Sequence, residues 1–303
     1  MFASLLTAFL FASSAIYGRK TAICFGSIPG NFYRLVLAAI FLGGITLIFY
    51  HPTLSPTAFV WFFISGLIGF GIGDVALYLA YPRIGSRLTI LITFCLAPVW
   101  GAAVEFLWLN TTITLQEAGA SVIVLVGVCL ALRPQGNPNL ARSVGFAVGI
   151  LFGVVAGFGQ GVGAVISRNA EHVALAASID TNGISAAFQR VLGGIGVSAI
   201  AFLVVILRRR LSRHRLQTSS ASNLQKAHWL LGATLMGPVI GVSCFQWALQ
   251  DTPSALVLAI VATSPILVMP MSWIAENDRP TFQGVAGAFL AVGGVVWICL
   301  IRG

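Results

Sequence analysis

The chain has 303 residues, 58% of them hydrophobic and 8% charged, with a net charge of +9 and a mean hydropathy of +0.95. Water-soluble domains carry about 25% charged residues, so this composition excludes one. The basic excess is not a nucleic-acid footprint either, because its densest run, RRRLSRHR at 208–215, flanks an apolar stretch, where bases set membrane topology.

Apolar stretches long enough to cross a bilayer need about 20 residues each. They fall at 2–20, 31–50, 57–80, 85–108, 114–132, 144–167, 184–207, 228–250, 254–275 and 281–301. The first lacks a basic leader and is followed by Arg19-Lys20 where a cleavage site would be small and polar. It therefore reads as a span rather than a signal peptide. Breaks are expected at Ile28-Pro29-Gly30, His51-Pro52, Asn110–Thr112, Pro134–Pro138 and Asp278–Pro280. The sixth span places Gly145, Gly149, Gly153, Gly157 and Gly161 on one helix face, a packing surface in lipid. The five cysteines are scattered through apolar runs without metal-ligand or redox spacing. Neither a metal nor any other cofactor is expected.

The two halves repeat one another. At an offset of 167, Pro98 meets Pro265, Asn110 meets Asn277, Thr114 meets Thr281, Gln116 meets Gln283 and Gly127 meets Gly294. NFYRLV at 31–36 resembles AFQRVL at 187–192, which pairs Arg34 with Arg190. The expected fold is all-α and integral to the membrane: ten transmembrane helices in two five-helix units, 1–135 and 144–303, joined by a linker at 136–143. An odd number of spans per unit inverts the second copy, an arrangement that builds a midplane site and two alternating gates.

Bases are uneven between the two sides. Loops after odd-numbered spans hold fourteen Lys and Arg residues; the other side holds Arg168, Arg190 and Arg302. The positive-inside rule then puts both termini outside the cytoplasm.

Asp74 is the acid well inside a span, with Tyr78 and Tyr81 following at helical spacing. Such a carboxylate costs about 2.5–3.5 kcal/mol on insertion scales, so it needs a cavity or a partner. One reading has it bind a substrate amine or a proton. The plainer reading pairs it with a base such as Arg34 or Arg83. A one-residue shift aligns GFGIGD with GPVIGV, which puts Val242 opposite Asp74 and Gln246 opposite Tyr78. Further candidates for substrate contact are Trp247, Gln160, Ser14, Tyr17, Thr93, Thr263 and Ser264. For the last three, bonding back to their own helix is the competing explanation. Pro98 and Pro265 are expected to kink their spans. Glu171, His172 and Asp180 read as a solvated loop between the sixth and seventh spans.

The ordered set LYLAYPRIGS with TFCLAP, then WALQDTPSA with VATSP, resembles the EamA-type branch of the drug/metabolite transporter superfamily across essentially the whole chain. The family's acid after the fourth span matches Glu276, its arginine opening the second span matches Arg34 and Arg190, and its first-half acid is replaced by Leu109-Asn110. The resemblance implies a multi-pass protein of the bacterial inner membrane that exports small metabolites, often amino acids. It also implies both termini in the cytoplasm, against the reading of the charges. The expected function is a secondary transporter or facilitator, not an enzyme. Its partners are a small-molecule substrate and membrane lipid, with no nucleic acid, and a monomer is the expected state. The alternative is a membrane-embedded lipid-handling protein or enzyme.

Overall fold

The computed structural model describes residues 2–50, 53–54, 56–109, 114–132, 144–212, 221–251, 257 and 260–302. The breaks expected at His51-Pro52, Asn110–Thr112 and Pro134–Pro138, the 136–143 linker and the basic residues 213–215 lie outside them. Among the described residues the chain is helical and has no strand. Six helical stretches are apolar and long enough to cross a membrane: Phe2–Phe25, Ser27–Phe49, Pro56–Val104, Val144–Ala176, Gly183–Arg208 and Asn223–Gln250. Two shorter apolar helical stretches are Gly119–Ala131 and Phe282–Ile298.

In chain order, α1 is Phe2–Phe25, α2 Ser27–Phe49 and α3 Pro56–Gly66. A π-helical stretch, Leu67–Gly73, leads into α4, Asp74–Leu109. Then come α5 Leu115–Leu132, α6 Val144–Ala176, α7 Gly183–Ser212 and α8 Asn223–Thr234. A second π-helical stretch, Leu235–Val239, leads into α9, Ile240–Asp251, followed by α10 Ser264–Glu276 and α11 Phe282–Arg302.

The break after α1 comes at Gly26, with φ 90°, one turn earlier than the Pro29 region where it was expected. Glycine alone takes that φ without strain, while Pro29 is tolerated in a first helical turn, where its missing N–H is no loss. Gly85, with φ 79°, interrupts the long run from Pro56 to Leu109. That run far exceeds the ~20 residues one crossing needs, and the expected boundary between the third and fourth spans falls here. Pro98 lies in α4 where the backbone stays helical, so Gly85 is the departure and Pro98 is not. Pro265 stands in the first turn of α10 rather than in mid-helix, again a position where a missing N–H leaves nothing unsatisfied. Ser222 and Gln225 form a capping box that starts α8 before the apolar run begins.

The glycine face of α6 packs on the second part of α4: Gly153 meets Ile92, Gly157 meets Leu96 and Gly161 meets Trp100. The opposite side of α6 meets the first π-helical stretch. A Cβ on Gly159 would come within 2.6 Å of the Gly73 Cα, so only glycines allow this crossing. Gly127 of α5 and Gly287 of α11 allow an equally close pairing of those two helices. Long side chains such as Ile48, Phe49, Leu203, Ile274 and Leu300 point outward, an apolar rim suited to lipid.

Candidate functional site

The Gly73–Gly159 crossing sets the neighbouring residues, Asp74 and Gln160, against each other. Gln160 Nε2 donates to Asp74 Oδ1 at 3.0 Å, and the Arg34 guanidinium donates to Asp74 Oδ2. Arg34 also donates to Asn31 Oδ1 at 3.0 Å, and Asn31 in turn donates to Ser198 Oγ of α7 at 3.0 Å. The Tyr78 ring lies 4.8 Å from the Arg34 guanidinium. Asp74 and Arg34 are almost wholly buried. A buried ion pair holds only when further hydrogen bonds meet the remaining polar atoms. Gln160 and Asn31 meet part of that need; Arg34 Nε and the Tyr78 hydroxyl have no partner among the described residues. A cavity of about 40 Å³ abuts this cluster, lined by Ser14, Arg34, Asp74, Gln160, Tyr81 and Val242, among others.

A second buried cluster surrounds Arg190 of α7. Arg190 donates to Gln246 Oε1 at 3.0 Å, and Gln246 Nε2 donates to Ser167 Oγ of α6 at 2.7 Å. The Phe70 ring lies 5.3 Å from the Arg190 guanidinium. Gly66 and Gly193 let α7 press against α3 and the π-helical stretch, which brings Arg190 to this position.

A cavity of about 930 Å³ opens where α2, α6 and α9 end and α7 begins. Trp247, Glu171, Thr181 and Gln250 are in its wall. Glu171 is not in a solvated loop: it belongs to α6 and is 7% exposed. Helix α6 runs past 167 because the sequence after its glycine face, SRNAEHVALA, holds no Gly or Pro to stop it. The Thr181 hydroxyl donates to Glu171 Oε2, and Gln250 Nε2 donates to the Thr181 carbonyl.

The opposite end, where α1 and α10 finish and Gly85 breaks α4, is tied by charges. Arg19 pairs with Glu276 at 2.7 Å, and Ser86 Oγ donates to the same carboxylate at 2.8 Å. Arg87 grips Asp278 through Nε at 2.9 Å and a terminal nitrogen at 3.2 Å. Each of these contacts joins the first half of the chain to the second.

The structure thus divides the sequence-selected residues. Asp74, Gln160 and Ser14 share the small cavity; Gln246 is fully buried within the Arg190 cluster, and Trp247 lines the large cavity. Tyr78 is fully buried beside Arg34. Tyr17 packs on His228, Trp229 and Gly232 at the charge-tied end, away from both cavities. Thr263 and Ser264 donate back to the Ile260 and Val261 carbonyls, and the buried Thr93 hydroxyl has no partner among the described residues. Sequence reasoning missed Thr181, Gln250 and the tie from Arg19 and Arg87. The one available signal was Glu276, an acid closing an apolar helix.

The model of the EamA-like transporter family matches residues 1–133 and 147–300. No curated protein matches the chain. A solved structure titled only "Crystal structure of protein" superposes with a TM-score of 0.61 at 17% identity, covering 99% of this chain and 96% of that one. That likeness concerns the fold alone.

Proposed function

This chain belongs to the EamA-like transporter family, within the drug/metabolite transporter superfamily, and on that premise we propose that it is a secondary transporter exporting small organic metabolites, amino acids among them, by alternating access. Ten spans in two inverted units would form the path. The first, third, fourth, sixth, eighth and ninth spans would line it. Asp74, Tyr78, Gln160, Gln246, Trp247, Ser14, Tyr17, Thr93, Thr263 and Ser264 would act along or beside it.

One observation carries this reading: a wide cavity at one end of the helices and ion pairs between the two halves of the chain at the other. Alternating access needs one end open while the other is held shut by contacts that can break. The tie at Glu276 and Asp278 links the two family-matched segments, so opening it would part them. The π-helical stretches support the same reading. They occupy corresponding spans, at 67–73 and 235–239, and such interruptions mark functional sites in many helices. The loops after odd-numbered spans, to which the sequence assigns most of the bases, would be on the tied side, which would then face the cytoplasm in a bacterial inner membrane, with the large cavity and both termini outside.

The test is solute flux with purified protein in liposomes, screened against a mixed metabolite pool. Depletion of specific solutes down or against a gradient is expected. Chemical conversion of a lipid or solute without flux would favour a membrane-embedded enzyme instead.

A further inference from the structure

The large cavity contains a buried carboxylate whose bonding is incomplete. Glu171 Oε2 accepts from the Thr181 hydroxyl, while Glu171 Oε1 is buried and has no hydrogen-bond partner among the described residues. Gln250 in turn donates to Thr181, which holds that hydroxyl against the carboxylate. Leaving such an acceptor unmet is unfavourable, and a bound donor would relieve it. The cavity also presents the Trp247 indole, 55% exposed, and the apolar side chains of Leu42, Val239 and Ile240. Among the described residues its acids are Glu171 and Asp180 against one guanidinium in its wall, that of Arg168, with His172 beside them, while the buried Arg190 guanidinium also bears on Glu171. An aromatic side chain and an acid in the wall of one cavity suit a cation on an apolar body.

We propose that this cavity is a binding site for organic ammonium compounds, with the ammonium donating to the Glu171 carboxylate and the apolar body lying against Trp247. The site is at the mouth of the path, one helical turn along α6 from Ser167, which holds Gln246 and through it Arg190. A solute held there is poised above the buried clusters. In biological meaning the proposal rests on the transport reading, but binding can be measured without flux.

Titration calorimetry on the full chain in lipid nanodiscs tests it, with phenethylamine, methylamine and 3-phenylpropionate as probes. Phenethylamine should bind, methylamine at least tenfold more weakly, and 3-phenylpropionate not detectably. Glu171→Gln should weaken phenethylamine at least tenfold while retaining the unfolding temperature of the native chain to within a few degrees. Trp247→Ala should weaken phenethylamine severalfold and leave methylamine unchanged. It serves as the independent variant should Glu171→Gln fail to fold. The proposal is overturned by any one of three results: no phenethylamine binding to the native chain, equal binding by a folded Glu171→Gln, or tighter binding of 3-phenylpropionate. Binding with no flux of any solute would remove the transport reading and leave this one standing. Flux that survives with equal binding by Glu171→Gln would do the reverse.

Discussion

Arg34 and Arg190 occupy matching places in NFYRLV and AFQRVL, yet they are satisfied differently: Arg34 pairs with the Asp74 carboxylate, whereas Arg190 bonds the neutral Gln246. Val242 stands where the repeat would place a second acid, and it lines the small cavity beside Asp74.

This asymmetry separates the two roles open to Asp74. Asp74→Asn removes the counter-charge from a buried guanidinium, a loss of about 3–5 kcal/mol when one member of a buried pair is deleted. A markedly lower unfolding temperature is expected. Adding Arg34→Gln removes the stranded charge and should restore most of the stability. If Asp74 also handles substrate or a proton, the stable double variant still lacks flux. Recovery of both stability and flux would reduce Asp74 to a structural partner.

The tie at the closed end should govern which end opens. Glu276 has a fully buried side chain with Arg19 and Ser86 on it, so Glu276→Gln weakens two contacts across the halves. Arg19 is about a quarter exposed, which screens the pair. We expect a shift of about 1–2 kcal/mol, roughly five- to thirtyfold in the population opened at that end. Thr89 is buried one turn beyond Ser86. In a background without native cysteines, Thr89→Cys should react severalfold faster with a membrane-impermeant thiol reagent once Glu276→Gln is introduced. Unchanged labelling from either side would remove the ion pairs from gating.

The glycines of α6 make a contrast within one helix. Gly159→Ala sets a methyl group 2.6 Å from the Gly73 Cα, which must force the helices apart and pull Gln160 from Asp74. Overpacking of this kind costs about 1–3 kcal/mol. Gly145 has nothing within 4 Å of its missing Cβ, so Gly145→Ala should be neutral or stabilise by up to about 1 kcal/mol through helix propensity. Thermal unfolding in nanodiscs reads both. Equal effects at the two positions would mean that the crossing is not tight.

Hydropathy made the helices legible, because a chain so poor in charge must bury nearly every stretch in protein or in the bilayer. It also picked out Asp74 and named Arg34 among its candidate bases. What it left obscure depends on distance across the fold. Glu171 looked solvated beside His172 and Asp180, since nothing local reveals that Thr181 and Gln250 close over it. Gln246 and Trp247 are adjacent in sequence but serve different places, because neighbours on a helix point about 100° apart. Pro98 and Pro265 are the helix-perturbing residues visible in the sequence, yet the non-helical backbone inside α4 is at Gly85, and only a backbone angle reveals it. Arg19 and Arg87 were counted as topology signals; their partners lie some 190 residues or more away along the chain.

By the spans read from the sequence, fourteen bases fall to loops after odd-numbered spans and three to the other side; Arg34 and Arg190 are buried within helices, which leaves thirteen against two. Six of the thirteen belong to the single segment 208–226, and the bias survives without it, seven against two. Each base on the wrong side opposes the positive-inside preference, so both termini should be external and the Arg19–Glu276 tie cytoplasmic. A C-terminal reporter that works only in the cytoplasm should be silent on a transport-competent fusion, whereas one that works only outside should be active. A strong cytoplasmic signal would invert the molecule, making the Glu171 cavity inward-facing. Replacing Arg208, Arg209 and Arg210 with neutral residues gives a graded check: the native orientation should persist as the major form, because the remaining bases still favour it.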